Sequence, residues 1–286
     1  MIAMVVARML LVAGAAAGAA LWILLATLVP GCHRGRRGAW ALHRASRLLL
    51  RALRVRPTQQ AGPRSGASLI VANDASWIDV LVLSATGPLV PVVGSDVAGW
   101  PLLGTLARRS GAIFIDRHRP SGLPHEVHQI TRALRRGDRV LVFPAGDQGE
   151  SGRNPFRRAV FQAAVDAAVV VSPVAVCYRD SHGNLMTPCA FIGDTVPITS
   201  LIDLLAQRVT AAVTWLPVIP AIVAGGHPSA DRARVAAAAQ RSITRASQPP
   251  SARPLPISNP SDHATAAPPV AGVDAVPAAA LTPRAA

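Results

Sequence analysis

Two short polar stretches carry the residue types that chemistry needs: Asn73-Asp74-Ala75-Ser76-Trp77-Ile78-Asp79 and Phe143-Pro144-Ala145-Gly146-Asp147-Gln148-Gly149-Glu150. Each follows a short β-branched run, so each reads as the polar end of a parallel strand, where an α/β sheet gathers its functional groups. The first stretch holds two carboxylates, Asp74 and Asp79. An ordinary aspartate titrates near a pKa of about 3.9 and is a weak base at neutral pH; a neighbouring carboxylate raises one of the pair by charge repulsion. Asn73 or Asp74 also suits the N-cap of a following helix.

The elements that must position these residues follow from the pattern around them. Strands are expected over Ser68–Ala72, Leu89–Val93, Ala112–Ile115, Arg139–Phe143 and Val174–Tyr178, with a late one over Ala212–Ile219. Helices are expected over Ser76–Ser84, Leu102–Arg109, Pro124–Arg136, Phe156–Ala167, Leu201–Val209 and about Ala230–Arg245. Gly111 and Gly137 mark two helix ends, and Pro124 opens one. This alternation predicts an α/β fold whose mostly parallel sheet is flanked by helices. It spans residues 66–245, after a turn-rich loop from Pro57 to Gly66.

The segments on either side differ. Met9 to Val29 carries no charge and has the length to cross about 30 Å of hydrocarbon, so residues 1–30 read as a transmembrane or membrane-anchoring helix. His33, Arg34, Arg36 and Arg37 follow it, which by the basic bias predicts a cell-membrane protein with its globular domain cytoplasmic. A cleaved signal peptide and a packed helix of the globular domain are the rival readings. Residues 31–65 read as a basic amphipathic helix and linker, with Trp40, Leu42, Leu48, Leu49, Leu50 and Leu53 interleaved with arginines. Residues 246–286 are rich in Pro, Ala and Ser and read as a disordered tail.

Composition narrows the partners. The formal net charge is +14, and all 29 basic side chains are arginines. Such charge suits an anionic membrane surface, a phosphorylated substrate or nucleic acid. Nucleic acid is excluded for want of a recognition helix, zinc spacing or an aromatic-basic pattern. Cys32, Cys177 and Cys189 have neither metal-ligand spacing nor the even number a disulfide framework needs, so no metal is expected. Nucleotide binding is excluded too, because Gly146 to Gly149 has neither the dinucleotide glycine pattern nor a phosphate-loop lysine.

Taken with Gly111-Ala112-Ile113-Phe114-Ile115-Asp116-Arg117 and Ser172-Pro173-Val174, the two opening stretches resemble the four blocks of the 1-acyl-glycerol-3-phosphate acyltransferases. Block order and spacing are similar over roughly residues 40–245. The resemblance implies a membrane-associated O-acyltransferase that moves a fatty acyl group from acyl-CoA or acyl-carrier protein to a lysophospholipid or related acceptor, without a cofactor. Residue by residue, it implies catalytic roles for Asp74 and Asp79 and a phosphate-holding role for Arg117, whose planar fork suits a phosphate. It places Ser76, Pro144, Gly146 and Pro173 along the substrate groove. The family's first block has a histidine, the usual general base, where this chain has Asp74. Its third block has a glutamate and an arginine where this chain has Ala145 and Gln148. His118, His125 and His128 are the nearby imidazoles that replace the base if one is recruited. The alternative implied by these departures is a non-catalytic lipid- or acyl-binding homologue.

Overall fold

In a computed structural model, the structure describes residues 2–28, 34–60, 62, 66–74, 76, 78–99, 101–116, 123–145, 156–186, 204, 208–222 and 228–247. The elements in chain order are helix α1 (Ile2–Leu28), α2 (Arg34–Ala52), strands β1 (Val55–Gln60) and β2 (Ser68–Ala72), α3 (Asp79–Ser84) and β3 (Val90–Gly94). A 3-10 turn (Ser95–Gly99) leads to α4 (Pro101–Arg109), β4 (Ile113–Ile115), α5 (Leu123–Arg135), β5 (Arg139–Val142) and α6 (Ala159–Asp166). Then come β6 (Val170–Arg179), β7 (Leu185–Met186), β8 (Val209–Trp215) and α7 (Pro228–Ser247).

The described strands form one eight-stranded sheet in the order β1-β8-β6-β2-β5-β3-β4, with β7 beside β6. From β6 to β4 every neighbouring pair is parallel; β8 and β7 pair antiparallel with β6. The predicted α/β class and its mostly parallel sheet are therefore present. Central strands are apolar on both faces, as a sheet covered on both sides requires. Leu69 and Val71 of β2 join Val140, Val142, Ile130 and Phe161 on one face. Ile70 and Ala72 join Leu141, Val174 and Val176 with Leu83 of α3 and Leu50 of α2 on the other.

Gly111 and Gly137 end their helices as expected. Both have positive φ, and in each case the next residue's N–H returns to a carbonyl inside the helix: Ala112 to Ala107 and Asp138 to Ala133. The six-residue β1 was not anticipated. Only Val55 of it is buried, so Arg56 to Gln60 show no alternation, and the sequence looks like a linker; backbone pairing with β8 makes it a strand. Val209, expected in a helix, begins β8. Of the predicted loop, residues 57–60 belong to β1 instead; of the predicted tail, 246 and 247 end α7 and 248–286 lie outside the described residues.

The N-terminal expectation is corrected. Among the described residues no helix is long and apolar enough to cross a membrane. The transmembrane helix therefore falls, and with it the single-pass or anchored cell-membrane placement. One face of the apolar run packs on protein: α1 lies along α2, where Ala19 and Ile23 meet Ala41 and Ala45, while Leu10, Leu11, Leu21 and Leu25 are exposed. Met9 and Val12 reach the sheet's second core face, and the Arg44 guanidinium stands 5.9 Å over the Trp22 ring. Small residues let the two helices approach.

At its other side α2 meets the end of α4. A Cβ on Gly38 would come within 2.6 Å of the Ser110 backbone. Gly38→Ala should therefore destabilise the fold by about 1–3 kcal/mol, the usual penalty of overpacking. A chemical denaturation midpoint reads this, and an unchanged midpoint would mean that α2 does not sit against α4.

Candidate active site

The register of the sheet brings the sequence blocks to one level. Val71 pairs with Val142, Ala72 with Val174, and Gly94 with Ile115, so Asn73, Phe143-Pro144 and Asp116 leave the sheet at the same edge. This is the carboxyl end of the parallel strands, where open α/β sheets hold their ligands.

The loop after β2 is pinned at both ends. The Asn73 side chain acts like one more strand residue: its Nδ2 donates to the Val176 carbonyl (2.9 Å), and its Oδ1 accepts from the Val176 N–H (2.8 Å). At the far end Asp79 opens α3 with its carboxylate fully buried. Its Oδ2 accepts from the Ser76 N–H at 2.8 Å, and its Oδ1 accepts from the Tyr178 hydroxyl. Ser76 is buried, and its carbonyl accepts the Asp79 N–H at 2.9 Å. The expected N-cap role of Asn73 or Asp74 is not met. The residue before the helix, Ile78, supplies no side-chain cap, and Asp79 reaches back to the Ser76 amide instead. Asp74 lies half-buried between the two pins.

The other blocks are placed as follows. Asp116 follows β4, and its N–H donates to Oε1 of the buried Glu126 on α5. Pro144 is buried at the end of β5, and its carbonyl accepts from the Arg157 N–H at 2.9 Å. Ala145 packs its methyl on the core. Pro173 is inside β6 and not at its entrance, opposite Val71. Its carbonyl accepts from the Leu216 N–H, so its missing donor faces the segment after β8, where one bond is forgone while Val171 and Ile219 exchange both of theirs. Arg117, Gly146 and Gln148 lie outside the described residues, as does His118. His125 and His128 are exposed on α5, and His125 Nε2 is 2.7 Å from the Gln129 amide.

Sequence reasoning singled out neither Tyr178 nor Glu126. Tyr178 is the chain's only tyrosine, a signal that was available. Its neighbour Cys177 is half-buried; burial pushes the thiol up, Arg179 and the Ser247 side chain oppose this, and the charge of Asp79 adds to it. Among the described residues no group of His, Cys, Asp and Glu side chains has the arrangement of a metal site.

Comparison with known proteins gives the constellation its context. Residues 54–177 match the family model described as Acyltransferase. A lyso-ornithine lipid O-acyltransferase of Pseudomonas aeruginosa is 34% identical over 246 residues, spanning 83% of this chain and 90% of that protein. The chain belongs to the 1-acylglycerol-3-phosphate O-acyltransferase family. A 1-acyl-sn-glycerol-3-phosphate acyltransferase of Neisseria gonorrhoeae is 33% identical over 117 residues, 41% of this chain and 46% of that protein. The crystal structure of the 1-acyl-sn-glycerophosphate acyltransferase of Thermotoga maritima has the same fold, with a TM-score of 0.55 at 14% identity over 82% of this chain and 89% of that one. By family the chain is an O-acyltransferase of the glycerolipid type.

Removing the Asn73 pin tests the geometry. Asn73→Ala deletes both bonds to β6 and leaves the Val176 backbone groups unmatched, which should cost about 1–3 kcal/mol. Denaturant unfolding measures it, and a variant as stable as the parent would mean the pin carries no weight.

Proposed function

We propose that the chain transfers a fatty acyl group from acyl-CoA or acyl-carrier protein to the hydroxyl of a lysophospholipid or related acceptor. What carries this reading is the loop Asn73 to Asp79, which keeps the family's asparagine, serine and aspartate and is held at the functional edge of the sheet. In the reaction the acceptor oxygen attacks the thioester carbonyl carbon; a C–O bond forms and the C–S bond breaks. The hydroxyl proton passes to the Asp74 carboxylate and from there to the departing thiolate. Asp79 keeps the loop in place, Arg117 holds the acceptor's anionic headgroup, and Ser76, Pro144, Gly146 and Pro173 border the groove.

A lyso-ornithine acceptor is the second reading. Ala145 and Gln148 remove a carboxylate and a guanidinium that the family's third block supplies, and this weakens the case for a phosphate at the site. The relative from Pseudomonas aeruginosa, named for a lyso-ornithine lipid, supports it. The proposed anionic membrane surface fits α2, where Trp40 and Leu48 are exposed beside Arg44, Arg47 and Arg51.

Two measurements test the proposal. Purified full-length protein is assayed with lysophosphatidate and with lyso-ornithine lipid, and products are detected by mass. Turnover on the first supports the main reading, turnover on the second alone selects the other, and turnover on neither leaves the acyl-binding homologue. Arg117→Ala should weaken acceptor affinity by about tenfold or more, since a charge-assisted contact contributes roughly 1.5–3 kcal/mol. Equal affinity in a vesicle titration removes Arg117 from the site. Asp74→His should raise turnover, because general-base assistance is worth roughly 10² to 10⁴-fold. A productive parent that Asp74→His abolishes would mean that the site requires a carboxylate at this position and that an imidazole cannot take over the proton transfer.

A further inference from the structure

Strand β6 reaches the Asn73–Asp79 loop twice. Val176 holds Asn73 through its backbone, and Tyr178, two positions on and on the same face, donates its hydroxyl to Asp79. Both side chains of the second contact are removed from solvent, Asp79 fully and Tyr178 to 1%. A buried carboxylate needs donors, and here one comes from its own loop, the Ser76 N–H, and one from β6. In the family's first block the aspartate has the histidine as its partner; this chain has no histidine in that block.

We propose that Tyr178 is a positioning residue for acyl transfer: its hydroxyl takes the seat on Asp79 Oδ1 that an imidazole at position 74 would occupy, and so fixes the loop that carries Asp74. The proposal rests on the acyltransferase reading for its role in turnover, but the hydrogen bond and the competition do not. Two consequences separate it from a merely structural tyrosine. In the parent, loss of the hydroxyl loosens the Asp79 end of the loop while the Asn73 pin remains, so the reacting geometry suffers more than acceptor binding. In an Asp74→His background the same loss vacates Oδ1 for the new imidazole, and the effect changes sign.

The test is a double-mutant cycle with Tyr178→Phe, a change that keeps the buried ring and removes only the hydroxyl. In the parent, Tyr178→Phe should lower kcat by about tenfold and change KM by less than about twofold. In Asp74→His, it should raise kcat by about tenfold, a coupling expected only of groups that share one partner. A fall by the same factor in both backgrounds, or no change in either, overturns the proposal. A readout independent of activity uses the single tyrosine: with 13C-labelled tyrosine the full-length chain gives one Cζ resonance, and that carbon senses the hydrogen bond of its hydroxyl. Asp74→His should move this resonance in the direction in which Asp79→Asn moves it. If every variant is inactive, the acyl-transfer reading fails while the resonance still decides. An unmoved resonance in Asp74→His overturns the competition, and a moved one upholds it.

Discussion

A carboxylate taken wholly out of water must be met by hydrogen-bond donors, because an unpaired buried charge costs far more than a fold of this size can spare. Asp79 is in that position, and donors from the Ser76 amide and the Tyr178 hydroxyl shape the local architecture. The Ser76 amide forces the chain before α3 into a tight turn, and the Tyr178 hydroxyl ties that turn to β6. Together with the Asn73 amide on Val176, these contacts make the loop an outgrowth of the sheet and not a free connection. Loops that carry chemistry are otherwise among the least stable parts of a protein.

The parallel sheet supplies what lies around that loop. Because β2, β5, β3 and β4 run the same way and in step, the residues following them emerge together. Glu126 does for Asp116 what Asp79 does for Ser76: a buried carboxylate accepts a backbone N–H just beyond a strand end. Two of the family's blocks are thus held by the same device. By the resemblance of its blocks, the chain differs at Asp74, Ala145 and Gln148, where the family has a histidine, a glutamate and an arginine, and keeps Asn73, Ser76 and Asp79. Asn73 and Asp79, two of the kept residues, are the ones whose side chains pin the loop.

Much of the frame was legible in the sequence. The β-branched runs of β2 and β5 and the glycines at positions 111 and 137 have local causes, and local causes can be read locally. Three features could not be read this way. Strand β1 is mostly exposed and polar, so only its distant partner β8 makes it a strand. The apolar N-terminal run has one composition for two environments, and the contacts of Ala19 and Ile23 with α2 decide what part of it covers. The bond between Tyr178 and Asp79 joins residues 99 apart in sequence, and nothing in either neighbourhood announces the other. At Pro173 a proline ordinarily marks a strand's edge, but β6 continues through it because a single donor is missing: the Pro173 carbonyl still accepts from Leu216, and Val171 pairs with Ile219 on the same flank.

The account turns on whether the loop is clamped, and amide hydrogen exchange of the full-length chain measures that directly. The Ser76 N–H lies outside every helix and strand, and its bond to the Asp79 carboxylate gives it reason to be protected. It should exchange as slowly as the Val176 N–H of β6, and the two should slow or quicken together when conditions change. A Ser76 amide exchanging at the rate of an open loop, with Val176 still protected, would contradict the clamp and with it the placing of Asp74.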